Sequence, residues 1–431
     1  MANYAACLIP GEGALRFVPS VSLLQLLVLL VWAALFNVVG AQTWRHGRQT
    51  FVLLLAAAGL VLLLPRLRPR PRPRWLYRPR RWLGAMVVCA VVVLGAHLLA
   101  GAASCLRARP DMTDIPLNTW EAGRVLLSGE NPYAVRCQLW AEVGADPHVT
   151  RTEDGIRILG VPYHYGFPYF PGMLLGFLPA RLLGLGVDGI RLWNLVLAVA
   201  SGWGLVLLTR RLAPNQPAAT WLALAAFLSV WVYAYEIFGY AVVDIMIATF
   251  ALFAFVALSR GRWGLAGALL GLAWSCKLLP APVLLLALLV WPGARSGLRS
   301  LLAWFSGVGV AVILPFVIWG PAAFLSATIL FYVAHHAPGD NTALFHYLPS
   351  GLRLPYQLLG FALTAITAVW GARRPGASAW TPLAAGFAAY VIFIAFGRMS
   401  HLNYLWSVWP LGCAALGVGL VRADDVGADA A

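Results

Sequence analysis

The sequence predicts an all-α polytopic membrane protein, and three observations carry that expectation. Of 431 residues, 61% are hydrophobic and only 11% are charged. Apolar segments follow one another along the chain, giving about 12 transmembrane helices, since a helix of about 20 apolar residues crosses a hydrocarbon core about 30 Å thick. The short connections between them carry arginine, as loops sorted by charge do. A net charge of +15 would suggest nucleic acid in a soluble chain. Clustered in short loops it speaks to topology instead, and no nucleic-acid partner is expected.

Three segments precede the first long loop, at about residues 20 to 41, 50 to 65 and 82 to 101. The first is of spanning length and no small-residue cleavage pattern follows it, so it is expected to stay as a helix. Between the second and third lies PRLRPRPRPRWLYRPRRW, residues 65 to 82. Proline alternating with arginine forbids an ordinary helix there, and the stretch reads as an extended, headgroup-binding, cytoplasmic linker.

With that anchor inside, nine further segments follow at about residues 189 to 209, 217 to 235, 241 to 259, 264 to 278, 280 to 293, 300 to 319, 352 to 371, 379 to 397 and 403 to 421. Their order puts Arg210 and Arg211, Arg260 and Arg262, Arg295 and Arg299, and Arg373 and Arg374 on the inner side, with both termini cytoplasmic. The stretch YFPGMLLGFLPARLLGLGV, residues 169 to 187, would reverse those pairs if it crossed. Pro171, Pro179 and its glycines mark it as re-entrant or interfacial.

Outside these segments nothing is long or apolar enough to bury a core of its own. Residues 1–81 form two helices and a basic loop, and residues 82–421 a transmembrane domain whose outer loop and re-entrant element occupy 102–187. Residues 422–431 form an alanine-rich, disordered tail. Arginine in place of lysine at almost every basic position suggests a GC-rich bacterial genome, hence a multi-pass protein of a bacterial plasma membrane.

The acids separate from the arginines. Of the 16 Asp+Glu, only Glu12, Asp424, Asp425 and Asp429 fall on the expected inner side. Positive-inside sorting needs no such asymmetry, so the chemistry is expected on the extracytoplasmic face. The first outer loop opens with Asp111 and Asp114, ahead of a short helix read from Asn118, with Glu121 at capping-box spacing and Gly129 as its terminal glycine. Either acid could take a proton from a hydroxyl, or merely cap the helix or face solvent. Glu236 and Asp244 fall at the outer ends of two adjacent segments, where an ionisable group needs a partner, a function or a path to water.

Lys277 is the only lysine. It sits at the outer tip of a hairpin broken by Pro280, and either snorkels to headgroups or offers a compact charge to a phosphate. A late outer loop carries His335, His336 and His346, without the spacing of a metal motif, so no metal is expected and substrate contact is the preferred role. Arg398, His401, Asn403 and Tyr404 lie at an outer edge, where sorting gives arginine no reason to be. Trp120, Tyr163, Tyr165 and Tyr169 could stack on sugar rings or anchor the interface.

In order along the chain these stretches resemble glycosyltransferase family 87, the polyprenyl-phosphate-mannose-dependent α-mannosyltransferases of the GT-C superfamily. The first outer loop, with its acid and a helix running into LLSGENPY, looks like theirs. YHYGFPYFPGMLLGFLPARLL is similar to the family's aromatic-x-Pro segment, AGALLGLAWSCKLLP to its lysine-before-proline element, and RMSHLNYLWSVWP to its closing Ser and Tyr motif. Tyr240 to Asp244 also looks like a segment of the lipid A aminoarabinose and protein mannosyl transferases. The resemblance covers roughly residues 110 to 415. It departs at Tyr240, where members often carry glutamine, and in the two extra helices before residue 82. The Asp114 register is shifted by about one residue, which keeps Asp111 in play.

The resemblance implies a GT-C fold and an inverting enzyme. It would move a sugar, mannose in the first instance, from a polyprenyl-phosphate donor to a lipid-linked or glycan acceptor, with membrane lipids as its surroundings. No cofactor is implied beyond the donor substrate. Asp114 or Asp111 would deprotonate the acceptor, and Lys277, Arg398 and His401 would hold the leaving phosphate. Asp244 and Glu236 would hold hydroxyls, with His336, His346, Tyr404 and Tyr165 completing the substrate site. The alternatives are a GT-C transferase using another polyprenyl-phosphate sugar and a lipid or glycolipid transporter. For the transporter, the sequence lacks an inverted repeat and its polar residues gather at one face.

Overall fold

The fold is that of a computed structural model, which describes residues 19–42, 47–63, 79–108, 112–135, 149–151, 157–159, 166–184, 186–330, 344–373, 378–397 and 402–428. In chain order the main helices are α1 (Leu23–Gln42), α2 (Gly47–Leu63), α3 (Arg81–Ala108), α4 (Asp114–Leu127), α5 (Pro171–Leu182), α6 (Asp188–Leu212) and α7 (Pro217–Leu228). They continue as α8 (Ile245–Ser259), α9 (Trp263–Cys276), α10 (Ala281–Val290), α11 (Leu298–Trp319), α12 (Ser350–Ala372), α13 (Trp380–Phe396) and α14 (Trp409–Ala428). Each of the twelve apolar segments read from the sequence is helical. By length and composition α3, α6, α11 and α12 could each cross a membrane, and the other apolar helices are shorter. Proline sets several of the limits: α7 opens on Pro217, and α9 stops where Lys277 turns extended three residues before Pro280.

The bundle has two chemically distinct ends. At one, Arg211 Nε donates to the Ser259 carbonyl (3.1 Å) and Arg422 reaches the Leu212 carbonyl (3.3 Å) and Ser378 Oγ (2.7 Å). This end joins the last turns of α6 and α8 to the start of α13. Arg210 in the last turn of α6, Arg299 in the first turn of α11, and Arg260, Arg262 and Arg295 in the connections lie there as well. The acids whose side chains are described, Glu121, Glu130, Asp188, Glu236 and Asp244, all lie toward the opposite end. The basic linker of residues 65 to 82 lies largely outside the described residues.

A cap of short elements covers the acidic end. It holds α4, α5 and a three-stranded patch in which β1 (Met112–Thr113) pairs in parallel with β3 (Arg157–Leu159), and β3 pairs antiparallel with β2 (Val149–Arg151). The patch is an addition to an otherwise helical fold, and no alternating pattern announces strands so short. Helix α4 begins at Asp114, four residues ahead of the start read from Asn118. Pro116 explains the shift, because a first-turn proline lacks only an amide that would have no helical acceptor. Asn118 is therefore inside the helix and buried, and its Nδ2 has no hydrogen-bond partner among the described residues. Gly129 closes the helix at φ +81°, with its amide on the Leu126 carbonyl (3.1 Å).

Helix α5 starts and finishes at the acidic end. The Phe170 amide just before it bonds the Cys276 carbonyl at the end of α9 (3.2 Å), and Ala180 in its last turn packs on Gly189 at the start of α6. Such close approaches need small residues, since helices surrounded by lipid gain from backbone contact and not from expelling water. At Gly172 a Cβ would stand 2.7 Å from both backbone C and O of Ser275. Gly172→Ala is therefore expected to push α5 off α9, at a cost of about 1–3 kcal/mol of stability. A thermal midpoint in lipid nanodiscs equal to wild type would refute this.

Candidate active site

Asp244 is the hub of the acidic end. It precedes α8 with helical φ (−63°) and makes no capping bond, so its carboxylate turns into the bundle and not onto the helix terminus. There it is wholly buried. Oδ1 accepts from Lys277 Nζ (2.8 Å) and Ser407 Oγ (3.1 Å), and Oδ2 from Asn403 Nδ2 (3.2 Å). An unpaired carboxylate here would cost several kcal/mol in lost hydration, and the ammonium with two neutral donors offsets that cost.

Lys277 is 8% exposed, which rules out snorkelling to headgroups in this state. Its stem comes from the extended C-cap of α9. Its ammonium lies 3.7 Å from the centroid of the Tyr404 ring and 5.6 Å from that of Tyr169. The lone lysine is thus held between a carboxylate and two aromatic faces, which favour a compact cation. Tyr169 is fixed in turn, because the Tyr133 hydroxyl donates to its carbonyl (2.9 Å). Burial pushes the Tyr133 phenol well above its usual range, so it stays neutral and a donor.

The segment that delivers Asp244 is unusual backbone. After α7 the chain makes one helical turn, Trp231–Ala234, then a π-helical turn, Tyr235–Gly239, and Ala241 lies in the left-handed region at φ +57°. Such a conformation persists only when its surroundings over-determine it. Arg191 does so from α6: Nε donates to the Phe238 carbonyl (2.9 Å), Nη2 to Gly239 (3.0 Å), and Nη1 pairs with Asp188 (2.6 Å). One turn on, Asn194 Nδ2 reaches the carbonyls of Ile237 (2.9 Å) and Val242 (3.1 Å). The π turn carries Glu236, whose Oε2 accepts from Trp406 Nε1 at 2.6 Å.

The same bend meets the cap. The Tyr240 carbonyl faces the amide (3.5 Å) and hydroxyl (3.4 Å) of Thr113, the residue before Asp114. The backbone at Asp114 therefore stands beside the segment that ends in Asp244. Arg181 of α5 stacks on Trp120 at 4.5 Å and donates to its carbonyl (2.9 Å), which ties α5 to α4.

Of the residues read from the sequence, the structure brings Lys277, Asp244 and Tyr404 into direct contact, with Tyr169 and Asn403, and places Glu236 on the adjoining turn. Asp111, Tyr165, His336, Arg398 and His401 lie outside the described residues, as do Tyr163 and His335. Asp114 and His346 are placed by backbone alone, in α4 and in the turn Leu344–Tyr347. Asp244 was expected to hold a substrate hydroxyl. In the structure it is wholly buried, and its two oxygens accept from Lys277, Asn403 and Ser407. Sequence reading passed over Arg191 and Asn194, although an arginine and an asparagine three apart in an apolar helix are the signal that would have found them. Trp406 and Ser407 left no such signal.

No curated protein matches the chain. Among solved structures it is similar to ArnT from Cupriavidus metallidurans bound to undecaprenyl phosphate, at TM-score 0.49 and 17% identity, over 77% of this chain and 60% of that one. The apo state of that ArnT gives TM-score 0.46 and 18% identity, over 77% and 59%. The chain thus spans about 60% of the length of these proteins. The profile of glycosyltransferase family 87 matches residues 167–400, more than half of the chain and the stretch that contains Glu236, Asp244 and Lys277. The chain belongs to glycosyltransferase family 87.

Proposed function

We propose that the protein transfers a sugar, mannose in the first instance, from a polyprenyl-phosphate donor to a lipid-linked or glycan acceptor, with inversion at the anomeric carbon. The reaction takes place at the extracytoplasmic face of a bacterial plasma membrane. Family membership supports the donor class. The observation that carries the proposal is the single lysine, buried and oriented by Asp244 at the end of the bundle opposite Arg211 and Arg422. That position suits a lipid-borne phosphate better than a solute crossing the bilayer.

In this proposal the acceptor hydroxyl oxygen attacks the anomeric carbon opposite the phosphate. The bond from that carbon to the phosphate oxygen breaks, and its electron pair leaves with the phosphate. The hydroxyl proton passes to Asp114, or to Asp111 three residues earlier in the sequence. Lys277, Arg398 and His401 stabilise the charge that develops on the leaving group, where fixed cations act most strongly. Asp244 acts through Lys277 and is a positioning residue. Glu236, on the turn adjoining the Lys277 and Asp244 pair, holds a sugar or acceptor hydroxyl, and Tyr404, Tyr165, His336 and His346 line the substrate.

Purified protein in liposomes, given radiolabelled polyprenyl-phosphate-mannose and a membrane lipid extract, should move label to a new, larger or more polar glycolipid. Absence of transfer with mannose and with other polyprenyl-phosphate sugars would overturn the proposal, and label crossing the bilayer unchanged would support a transporter. Sidedness has its own test. Cysteine placed at Leu212 or Arg374 should resist an impermeant thiol reagent added to intact cells, and modification from outside would reverse the topology.

A further inference from the structure

The first helix lies well outside the stretch that matches the family, yet it packs against the active-site end. Trp32 and Phe36 of α1 are fully buried. The Trp32 ring stacks on Trp409 (5.3 Å between centroids, 18° between planes), and Phe36 meets both rings edge-on, at 4.6 and 4.7 Å. Trp409 stands perpendicular to Trp406 at 5.7 Å, and Trp406 is the residue whose indole N–H bonds Glu236. A second hold is independent of the rings. Asn37 Nδ2 donates to the Ser229 carbonyl (2.9 Å), at the end of α7, where the chain enters the turns that carry Glu236.

We propose that α1 is part of the frame of the active site, with Trp32, Phe36 and Asn37 as positioning residues for Glu236. From one side, α1 fixes the indole that orients the Glu236 carboxylate. From the other, it fixes the backbone leading into the π turn. Indole rings suit this task, since they are large and rigid and lose little rotamer freedom when packed. Helix α1 is therefore a working component of this transferase and not an accessory anchor. The kinetic arm of its test rests on the function proposed above, and the stability arm does not.

The full chain in lipid nanodiscs would carry Trp32→Ala, Trp406→Phe and the double substitution. Loss of the brace should raise the KM for donor or acceptor about fivefold, whereas partial unfolding lowers only the apparent kcat. In the Trp406→Phe background, which already lacks the N–H to Glu236, Trp32→Ala should add less than about a twofold rise. Trp32→Phe, which keeps a stacking ring, should restore most of the loss. The same fold-change in both backgrounds would overturn the proposal. In parallel, Glu236→Ala should lower the thermal midpoint less in the Trp32→Ala protein than in wild type, and equal lowering would overturn the brace without any reference to catalysis. If wild type shows no transfer at all, the proposed reaction fails while this second arm still decides the role of α1. Should Trp32→Ala not fold, Asn37→Ala takes its place in the Glu236→Ala comparison, with the same deciding outcome.

Discussion

Asp114→Asn is expected to abolish transfer, by about 10²–10⁴-fold in kcat, the range over which a positioned general base contributes, while the protein keeps its wild-type thermal midpoint. Asparagine matches the shape of aspartate and can still hydrogen-bond at the first turn of α4, so folding has little reason to suffer. What it cannot do is take the proton from an acceptor hydroxyl. Asp114 is favoured by its backbone: it opens a helix whose preceding residue, Thr113, is joined to the Tyr240 carbonyl, a few residues from the Asp244 to Lys277 pair. Single-turnover transfer by Asp114→Asn and Asp111→Asn proteins would decide the assignment. Near-normal turnover in the first with loss in the second would move the base to Asp111.

Lys277→Met should have the largest effect on stability. Removing the ammonium leaves the Asp244 carboxylate buried, with Asn403 and Ser407 as its remaining donors among the described residues, and breaking a buried pair by deleting one partner costs about 3–5 kcal/mol. Donor affinity should fall as well, since the compact charge proposed to meet the phosphate is gone. A double variant, Lys277→Met with Asp244→Asn, removes the stranded charge. It should recover much of the stability and none of the donor affinity. Denaturant unfolding in nanodiscs reads the first quantity, and titration with a polyprenyl phosphate the second. If the single variant proves as stable as wild type, the pair does not hold this end of the bundle. If donor affinity is also unchanged, Lys277 has no part in the phosphate site.

The sequence determined by itself which stretches are helical, because apolar length and proline position are local properties. It also determined that the bundle has two unlike ends, because Arg210, Arg211, Arg260 and Arg262 fall at the ends of apolar segments whose order along the chain alternates. It marked Lys277 as exceptional and grouped it with Glu236, Asp244 and Tyr404. The start of α4 was misplaced by four residues because a capping-box spacing at Asn118 competed with a first-turn proline at Pro116, and spacing alone does not weigh the two.

Only the tertiary structure decided who meets whom. Lys277 and Asp244 are 33 residues apart, Asn403 and Asp244 are 159, and Trp32 stacks on a residue near the far end of the chain. No periodicity encodes such pairings. They follow from which helices approach closely, and that depends on small residues such as Gly172 and Gly189 finding a facing backbone across the bundle. The partners of Asp244 are decided in the same way. In the chain it is an acid at a helix start, and only burial with three donors around it makes it the residue that holds the lysine in place.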